Sequence, residues 1–188
     1  SPLDEAIVAE RPSGVQGWQK IDEVPFDFER RRVSVLLERE AERLLVVKGA
    51  PEDILRLCSH SENGPTPQAL DATARAEVQA TCHALEDQGL RVLAVAWRAQ
   101  PLTHAHAVVT DETELVLAGF VAFLDPPKAS AAAALAALQA SGVAIKVVTG
   151  DSERVTRHIC QALGLPIEGV LTGAEIGQLS DEALRARV

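Results

Sequence analysis

Residues Leu44-Leu45-Val46-Val47-Lys48-Gly49-Ala50-Pro51-Glu52-Asp53 contain a strand signal, a turn and the start of a helix. The apolar run 44–48 has the length of a strand, and Gly49 and Pro51 follow it directly. Proline suits the first position of a helix, because its missing N–H has no partner there, and acidic residues suit the first turn. We therefore predict a strand over 44–48 and a helix from 51 to about 59.

Similar signals lie on both sides of this segment. Helical spacing predicts helices over 3–9 and 71–88, and the Asn-Gly-Pro sequence at 63–65 predicts a loop. Alternating or apolar residues predict strands over four more segments: 16–24, 32–37, 90–97 and a buried strand over 115–124. Strands with intervening helices and long connections predict an α+β arrangement for residues 1–122.

The chain changes character at Asp125-Pro126-Pro127, because neither a helix nor a strand continues through two prolines. Beyond them the pattern predicts, in order, a helix over 129–140, a strand over 143–148, a helix over 152–163, a strand over 169–171 and a final helix capped at 180–182. This rhythm is typical of a doubly wound parallel sheet. Two strands do not complete such a sheet, so 123–188 is predicted to be part of an α/β domain.

Composition excludes several classes of protein. The chain has 188 residues, of which 47% are hydrophobic, and a net charge of −9 from 27 acidic and 18 basic residues. Proteins that bind nucleic acids or membrane surfaces usually show the opposite balance, so neither partner is expected, and a phosphate ligand needs a local basic patch. Three scattered cysteines favour a reducing compartment. No apolar run has the ~20 residues of a membrane span, and the chain has no methionine, so we expect an excised piece whose membrane segments, if any, lie elsewhere.

The segment Pro25-Phe26-Asp27-Phe28-Glu29-Arg30-Arg31-Arg32 places aromatic rings beside three arginines. An aromatic ring can stack on a purine while guanidinium groups bind its phosphates. The alternative is a strand with its phenylalanines in the core and its arginines in solvent. Composition alone favours that alternative.

Two other motifs have residues suited to phosphate. Lys48-Gly49 lies at a predicted strand end, where a glycine lets a ligand approach the backbone, although a surface lysine at a turn is the alternative. Thr149-Gly150-Asp151 follows a predicted strand, where open α/β sheets bind ligands, and its alternative is a helix cap formed by residue 151 or 152. His104 and His106 have no third ligand nearby, so no metal site is predicted.

Taken in order, the strings PFDFERRR, KGAPE, GLRVLAVA, FLDPPK and KVVTGD resemble the cytoplasmic region of P-type ATPases. The forms DEVPFDFERRRVSV and GFVAFLDPPK are most similar to the bacterial magnesium-importing branch. The resemblance implies that 1–122 is the nucleotide-binding domain, an antiparallel sheet with flanking helices. It implies that 123–188 is part of the phosphorylation domain, with a haloacid-dehalogenase-like α/β fold and a hinge near 123–128.

The resemblance also implies roles for individual residues. Adenine would stack on Phe26, Lys48 and Gly49 would line the base pocket, and Arg31 and Arg91 would approach the phosphates. Asp4 would lie near the adenine amino group. The remaining implied positions are the hinge, formed by Asp125, Pro126, Pro127 and Lys128, and the site of the transferred phosphoryl group and its Mg²⁺, formed by Thr149, Gly150 and Asp151. Phe28 stands where some members have arginine, which removes one phosphate contact.

The chain contains neither a DKTGT nor a GDGxND string. We therefore expect no catalytic residue in it. We expect it to bind ATP, as the Mg²⁺ complex, and to present it to an aspartate in the other domains of the same pump, an inner-membrane protein with this region in the cytoplasm. Two alternatives are a small haloacid-dehalogenase-like phosphatase, suggested by VVTGD, and a non-enzymatic interaction domain.

Overall fold

The computed structural model describes residues 2–10 and 16–187, with side chains from residue 5 onward. These residues form two compact units: the first comprises the described residues up to 85 and residues 92–123, and the second comprises 86–91 and 124–187. The helices are α1 (Pro2–Ala9), α2 (Pro51–Leu57), α3 (Ala72–Glu86), α4 (Ala131–Ala140), α5 (Glu153–Ala162), α6 (Gly173–Ile176) and α7 (Asp181–Arg187). The strands are β1 (Gln19–Asp27), β2 (Arg32–Arg39), β3 (Glu42–Gly49), β4 (Cys58–Ser61), β5 (Gln68–Ala69), β6 (Leu90–Ala99) and β7 (Leu115–Leu124).

The seven strands form one sheet in the order β1-β2-β3-β6-β7-β4-β5. Strands β1, β2, β3 and β6 are antiparallel neighbours, as are β4 and β5. The predicted α+β fold, a sheet with flanking helices, is confirmed. The sheet is mixed rather than wholly antiparallel, because β4 runs parallel to β7. The long connection over 62–114 supplies the crossover that a parallel pair requires.

Buried and half-buried residues alternate along the central strands, so one face of the sheet, the inner face, is buried. Its buried residues, with those of α2 and its flanks, form the core: Leu36, Leu45, Val47, Ile54, Leu55, Cys58, Leu70, Ala94, Ala96, Leu115 and Leu117. Burial of this apolar surface is the main favourable term in folding. The opposite face of β2, β3 and β6 carries residues that are only half-buried. We call this second face the outer face.

Two predicted elements of the first unit need correction. The helix predicted over 51–59 ends at Leu57, because Cys58 takes an extended conformation and pairs with Leu115 of β7. The strand predicted to be buried over 115–124 has its buried residues only at its start, at 115 and 117. The reason is that β4 pairs with β7 only as far as Leu117.

Cys58 lies in the core, and its thiol donates to the carbonyl oxygen of Ile54 at 3.2 Å. Burial raises the pKa of this thiol from its ordinary value of 9.0 to about 11. The folded state therefore favours the neutral thiol. The resulting contribution to stability is complete below pH 9 and is lost as the pH rises toward 11.

We expect Cys58 to resist alkylation at pH 8 in the folded chain, because only about one thiol in a thousand is ionised there and the sulfur is buried. Mass spectrometry after a timed iodoacetamide pulse measures the labelling. The same pulse in urea is the control, and it should label the cysteine rapidly. Equal labelling rates with and without urea would show that the site is open.

Beyond β7, the second unit contains helices but, within its described residues 125–187, no strand. The strands predicted over 143–148 and 169–171 are therefore wrong for this structure. A strand requires a hydrogen-bonded neighbour, and no described segment pairs with either of them. Val148, at the end of the first, is 96% exposed. The haloacid-dehalogenase-like fold of this part stays a prediction.

Two helices of the second unit, α5 and α6, start at residues whose side chains cap them. Ser152 is the N-cap of α5, where its hydroxyl accepts a hydrogen bond from the N–H of Val155. Thr172 and Glu175 form a capping box around α6, a helix that the sequence pattern did not predict. Of the described helices, none is both long and apolar enough to span a membrane.

Candidate functional site

A row of residues crosses the outer face at the end of the sheet where β1 meets β2. Val24 pairs with Ser34 and Asp27 with Arg32, so both residues 25 and 26 oppose Val33 in a β-bulge. Val33 in turn opposes Lys48, and Lys48 opposes Val95 of β6. Opposed residues share a face of the sheet. We call Phe26, Val33, Lys48 and Val95 the outer row.

Two residues predicted to bind the base, Phe26 and Lys48, lie apart in the outer row. Phe26 on β1 and Lys48 on β3 lie two strands apart, which is about 10 Å. Val33 lies between them. The sheet therefore offers an apolar residue flanked by an aromatic ring on one side and a cationic chain on the other.

The aromatic rings of this segment lie at the surface. Phe26 is 55% exposed and Phe28 is 88% exposed, and the two rings meet edge to face with 5.3 Å between their centroids. The alternative that places these phenylalanines in the core is therefore wrong. Two exposed rings in a chain with 3% aromatic residues leave a stacking surface at this edge of the sheet.

The three consecutive arginines have different surroundings. Arg30 and Arg32 are largely buried and form ion pairs with Glu112, at 2.7 and 2.5 Å. Arg31 is half-exposed and lies 3.4 Å from Asp53 in the first turn of α2. The predicted solvated basic edge is therefore wrong for two of the three side chains. A phosphate contact from this run depends on Arg31.

The turn between β1 and β2 is ordered by Asp27. Its carboxylate accepts hydrogen bonds from the backbone N–H groups of Glu29 and Arg30, at 2.9 and 2.8 Å. The bond from the Arg30 N–H holds the pKa of Asp27 below its usual range. Arg31 follows with φ of 51°, and its N–H donates to the Asp27 carbonyl oxygen. The turn therefore presents the Arg31 side chain from a fixed backbone.

Gly49 allows close contact between two strands of the protein. A Cβ at this position would lie 2.5 Å from the carbonyl oxygen of Arg31 and 2.5 Å from the Cβ of Arg32. The next residue, Ala50, donates its N–H to the same Arg31 oxygen at 3.1 Å. The sequence predicted a glycine that admits a ligand, whereas here the neighbouring strand occupies the space.

A groove continues the outer row along the same face. It has a volume of about 640 Å³ and is lined by residues that include Leu44, Val46, Val95 and Trp97. The indole N–H of Trp97 donates to the carboxylate of Glu62 at 2.7 Å. Val95 belongs both to this groove and to the outer row, so an open, largely apolar space lies beside half-buried Lys48.

Two of the residues predicted at the transferred phosphoryl group, Thr149 and Asp151, form a network with Arg91, which the resemblance assigned to the nucleotide-binding set. Arg91 lies 2.9 Å from the carboxylate of Asp151 and 3.4 Å from that of Asp125. The Thr149 hydroxyl donates to Asp151 at 2.9 Å and accepts the Asp151 N–H at 3.1 Å. Gly150 has open space where a Cβ would stand. Ser152, not Asp151, is the N-cap of α5. This agrees with one form of the alternative interpretation, a helix cap at residue 151 or 152.

The remaining predicted positions are the hinge and Asp4. The residues predicted to form a hinge are exposed and lie outside any helix or strand: Asp125, Pro126, Pro127 and Lys128. Asp4 lies within α1, and its side chain is outside the described part of the chain.

The two histidines singled out in the sequence have different partners. His104 contacts Asp111 at 2.8 Å, whereas His106 lies 3.3 Å from Asp22. Within 2–10 and 16–187 we find no group of three histidine, cysteine or acidic side chains arranged to hold a metal ion.

Sequence reasoning missed Glu112. This buried carboxylate is separated by about 80 residues from the arginines and the serine that it binds, so no local pattern connects them. A buried acidic residue normally needs cationic partners, but the sequence does not show which residues are buried.

The first unit is thus an α+β domain, with its core on one face of the mixed sheet and the outer row on the other. Residues 8–130 match the family model described as P-type ATPase, cytoplasmic domain N. The chain belongs to this family, which confirms the resemblance.

Relatives with curated names agree with this assignment. The chain is 45% identical over 170 residues to "Magnesium-transporting ATPase, P-type 1" of Salmonella typhimurium and 45% identical over 168 residues to the protein of the same name in Escherichia coli K12. It is 30% identical over 168 residues to "Calcium-transporting ATPase 1" of Lactococcus lactis. These matches cover 90%, 89% and 88% of the chain but only 19% of each relative.

Proposed function

We propose that this chain binds the adenine ring of ATP on the outer row and acts as the nucleotide-binding part of a magnesium-transporting P-type ATPase. The observation that carries the proposal is the exposed ring of Phe26 in one row with Val33 and Lys48. Residues 1–122 are then the nucleotide-binding domain and 123–188 part of the phosphorylation domain.

The chemistry of the outer row suits a purine. A purine base can stack on an aromatic ring, because every nucleotide base has a flat π-face. Val33 provides an apolar floor, and the Lys48 ammonium can donate to ring nitrogens. Gly49 shapes the pocket indirectly, by letting β2 approach β3. The half-exposed Arg31 guanidinium is the group of this turn that can meet a phosphate.

For the second unit we propose a role at the transferred phosphoryl group. Arg91 would supply a cation, the Thr149 hydroxyl and the Gly150 backbone would supply donors, and Asp151 would help hold the Mg²⁺ that accompanies the nucleotide. Their mutual hydrogen bonds support this proposal, because they hold polar groups of both signs together. Catalysis of phosphoryl transfer consists mostly of such positioning and electrostatics. The hinge over 123–128 would let the parts of the pump close on the nucleotide.

The transported ion and the location of the pump are proposed from the relatives. The 45% identity to two proteins named as magnesium-transporting exceeds the 30% identity to one named as calcium-transporting. The phosphorylated aspartate and the membrane segments are expected in other domains of the same pump, with this chain on the cytoplasmic side. The phosphatase alternative would need an acidic nucleophile in a DxDxT or DxDxV string, which the sequence does not contain.

We expect millimolar ATP, ADP and AMP all to shift the NMR resonances of Phe26, Val33 and Lys48, because the base is common to the three ligands. Inorganic triphosphate is the control, and it should shift Arg31 more than Phe26. Two-dimensional spectra of the isotope-labelled chain give the measurement. Shifts confined to residues away from the outer row, or no binding of any of the three, would contradict the proposal and favour an interaction domain.

A further inference from the structure

The carboxylate of Glu112 is fully buried and accepts hydrogen bonds from three side chains. One oxygen accepts from Arg30 at 2.7 Å and from the Ser34 hydroxyl at 2.5 Å, and the other accepts from Arg32 at 2.5 Å. All three partners belong to the β1–β2 turn or the start of β2. One acidic residue therefore binds side chains on both sides of Arg31, the proposed phosphate contact in this turn.

The two arginines that bind Glu112 also donate hydrogen bonds to the backbone beside the proposed adenine site. The Arg30 guanidinium also donates to the carbonyl oxygen of Pro25 at 2.7 Å. That oxygen belongs to the peptide unit that joins Pro25 to Phe26. The Arg32 guanidinium also donates to the carbonyl oxygen of Arg30, at 3.1 Å. A continuous path of hydrogen bonds thus runs from Glu112 to the bulge that carries Phe26.

Glu112 is itself held in place from the chain around it. It follows a 3-10 turn over Val109–Asp111, and its N–H donates to the Val109 carbonyl oxygen at 3.2 Å. Asp111 accepts the Val108 N–H at 2.9 Å and contacts His104. The buried carboxylate therefore has a fixed anchor outside β1 and β2.

We propose that Glu112 is a positioning residue for nucleotide binding, which sets the orientation of Phe26 through Arg30 and of Arg31 through the turn. The inference rests on the proposed function. A bulge opposite one residue has no regular ladder to fix its peptide planes, so the bond to the Pro25 oxygen takes over that role. Without the carboxylate, two neighbouring guanidinium groups repel each other and the Pro25 bond is lost.

The test compares the 188-residue chain with its Glu112→Gln variant, which keeps the shape of the side chain and removes its charge. We expect AMP to bind about tenfold more weakly, because part of the stacking contact is lost. Without nucleotide, we expect the Phe26 ring and amide resonances to shift. This spectral readout separates the two proposals: if the unaltered chain does not bind AMP, the proposed function fails, whereas an unshifted Phe26 overturns the positioning role.

One control variant and one further test variant separate the effect on positioning from the effect on stability. Leu70→Ala removes a core side chain distant in the sheet order from β1, and it should lower stability while leaving AMP affinity unchanged. Arg30→Gln removes the bond to Pro25 and should weaken AMP binding in the same direction as Glu112→Gln. If Glu112→Gln does not fold, Arg30→Gln alone decides the matter. Unchanged affinity and an unchanged Phe26 signal in that variant would overturn the inference.

Discussion

Replacing Phe26 with alanine should weaken the binding of ATP, ADP and AMP by about tenfold or more. Stacking of a base on an aromatic ring contributes ~1–3 kcal/mol, and 1.4 kcal/mol corresponds to a factor of ten in affinity. The ring is 55% exposed, so its removal leaves no cavity in the core and the fold should persist. Calorimetric or NMR titration gives the three dissociation constants.

Phe28→Ala is the matched control for this experiment. It removes the same side chain two residues away, from a ring that is 88% exposed and touches Phe26 only edge to face. We expect a loss of affinity well below that of Phe26→Ala. Equal losses in the two variants, or no loss in either, would show that the adenine does not stack on Phe26.

Gly49→Ala should destabilise the first unit by ~1–3 kcal/mol and lower its Tm by about 3–15 °C, since overpacking at a close contact forces the backbone to move. The added Cβ would lie 2.5 Å from both the Arg31 oxygen and the Arg32 Cβ. Relief of this contact requires β2 to separate from β3, which also displaces the Arg31 side chain. Nucleotide affinity should therefore fall along with stability.

Thermal unfolding followed by circular dichroism measures this effect, with Gly169→Ala as the control. Gly169 has open space where a Cβ would stand, so that variant should unfold at the temperature of the unaltered chain. If Gly49→Ala were as stable as the unaltered chain, the tight approach of β2 to β3 would be disproved.

Local signals in the sequence were sufficient for much of the first unit. The Leu44–Asp53 segment folds as predicted through its strand, its turn and the first turn of α2, because periodicity and proline position are properties of neighbouring residues. The exposure of Phe26 could not be read in this way, since a phenylalanine in a strand is compatible with either face. Only the bulge, which depends on pairing with β2, places it on the outer face.

Contacts between distant residues account for the errors. Arg30 and Arg32 looked like solvated cations because their partner, Glu112, lies about 80 residues away. The apolar run 143–148 has the composition of a strand, but composition does not supply a neighbour to pair with. The end of α2 was misplaced because pairing of Cys58 with β7 overrides the helical tendency of the residues around it.

The buried carboxylate beneath the β1–β2 turn has a consequence for how tightly a triphosphate can be held. Of three consecutive guanidinium groups, two are largely buried and share the single negative charge of Glu112, and the third, that of Arg31, is half-exposed. Direct contact between this turn and an anion should therefore depend mainly on Arg31, and three exposed cations would make it vary more strongly with ionic strength. At the proposed nucleotide site, such a turn predicts rapid exchange of the ligand rather than strong retention.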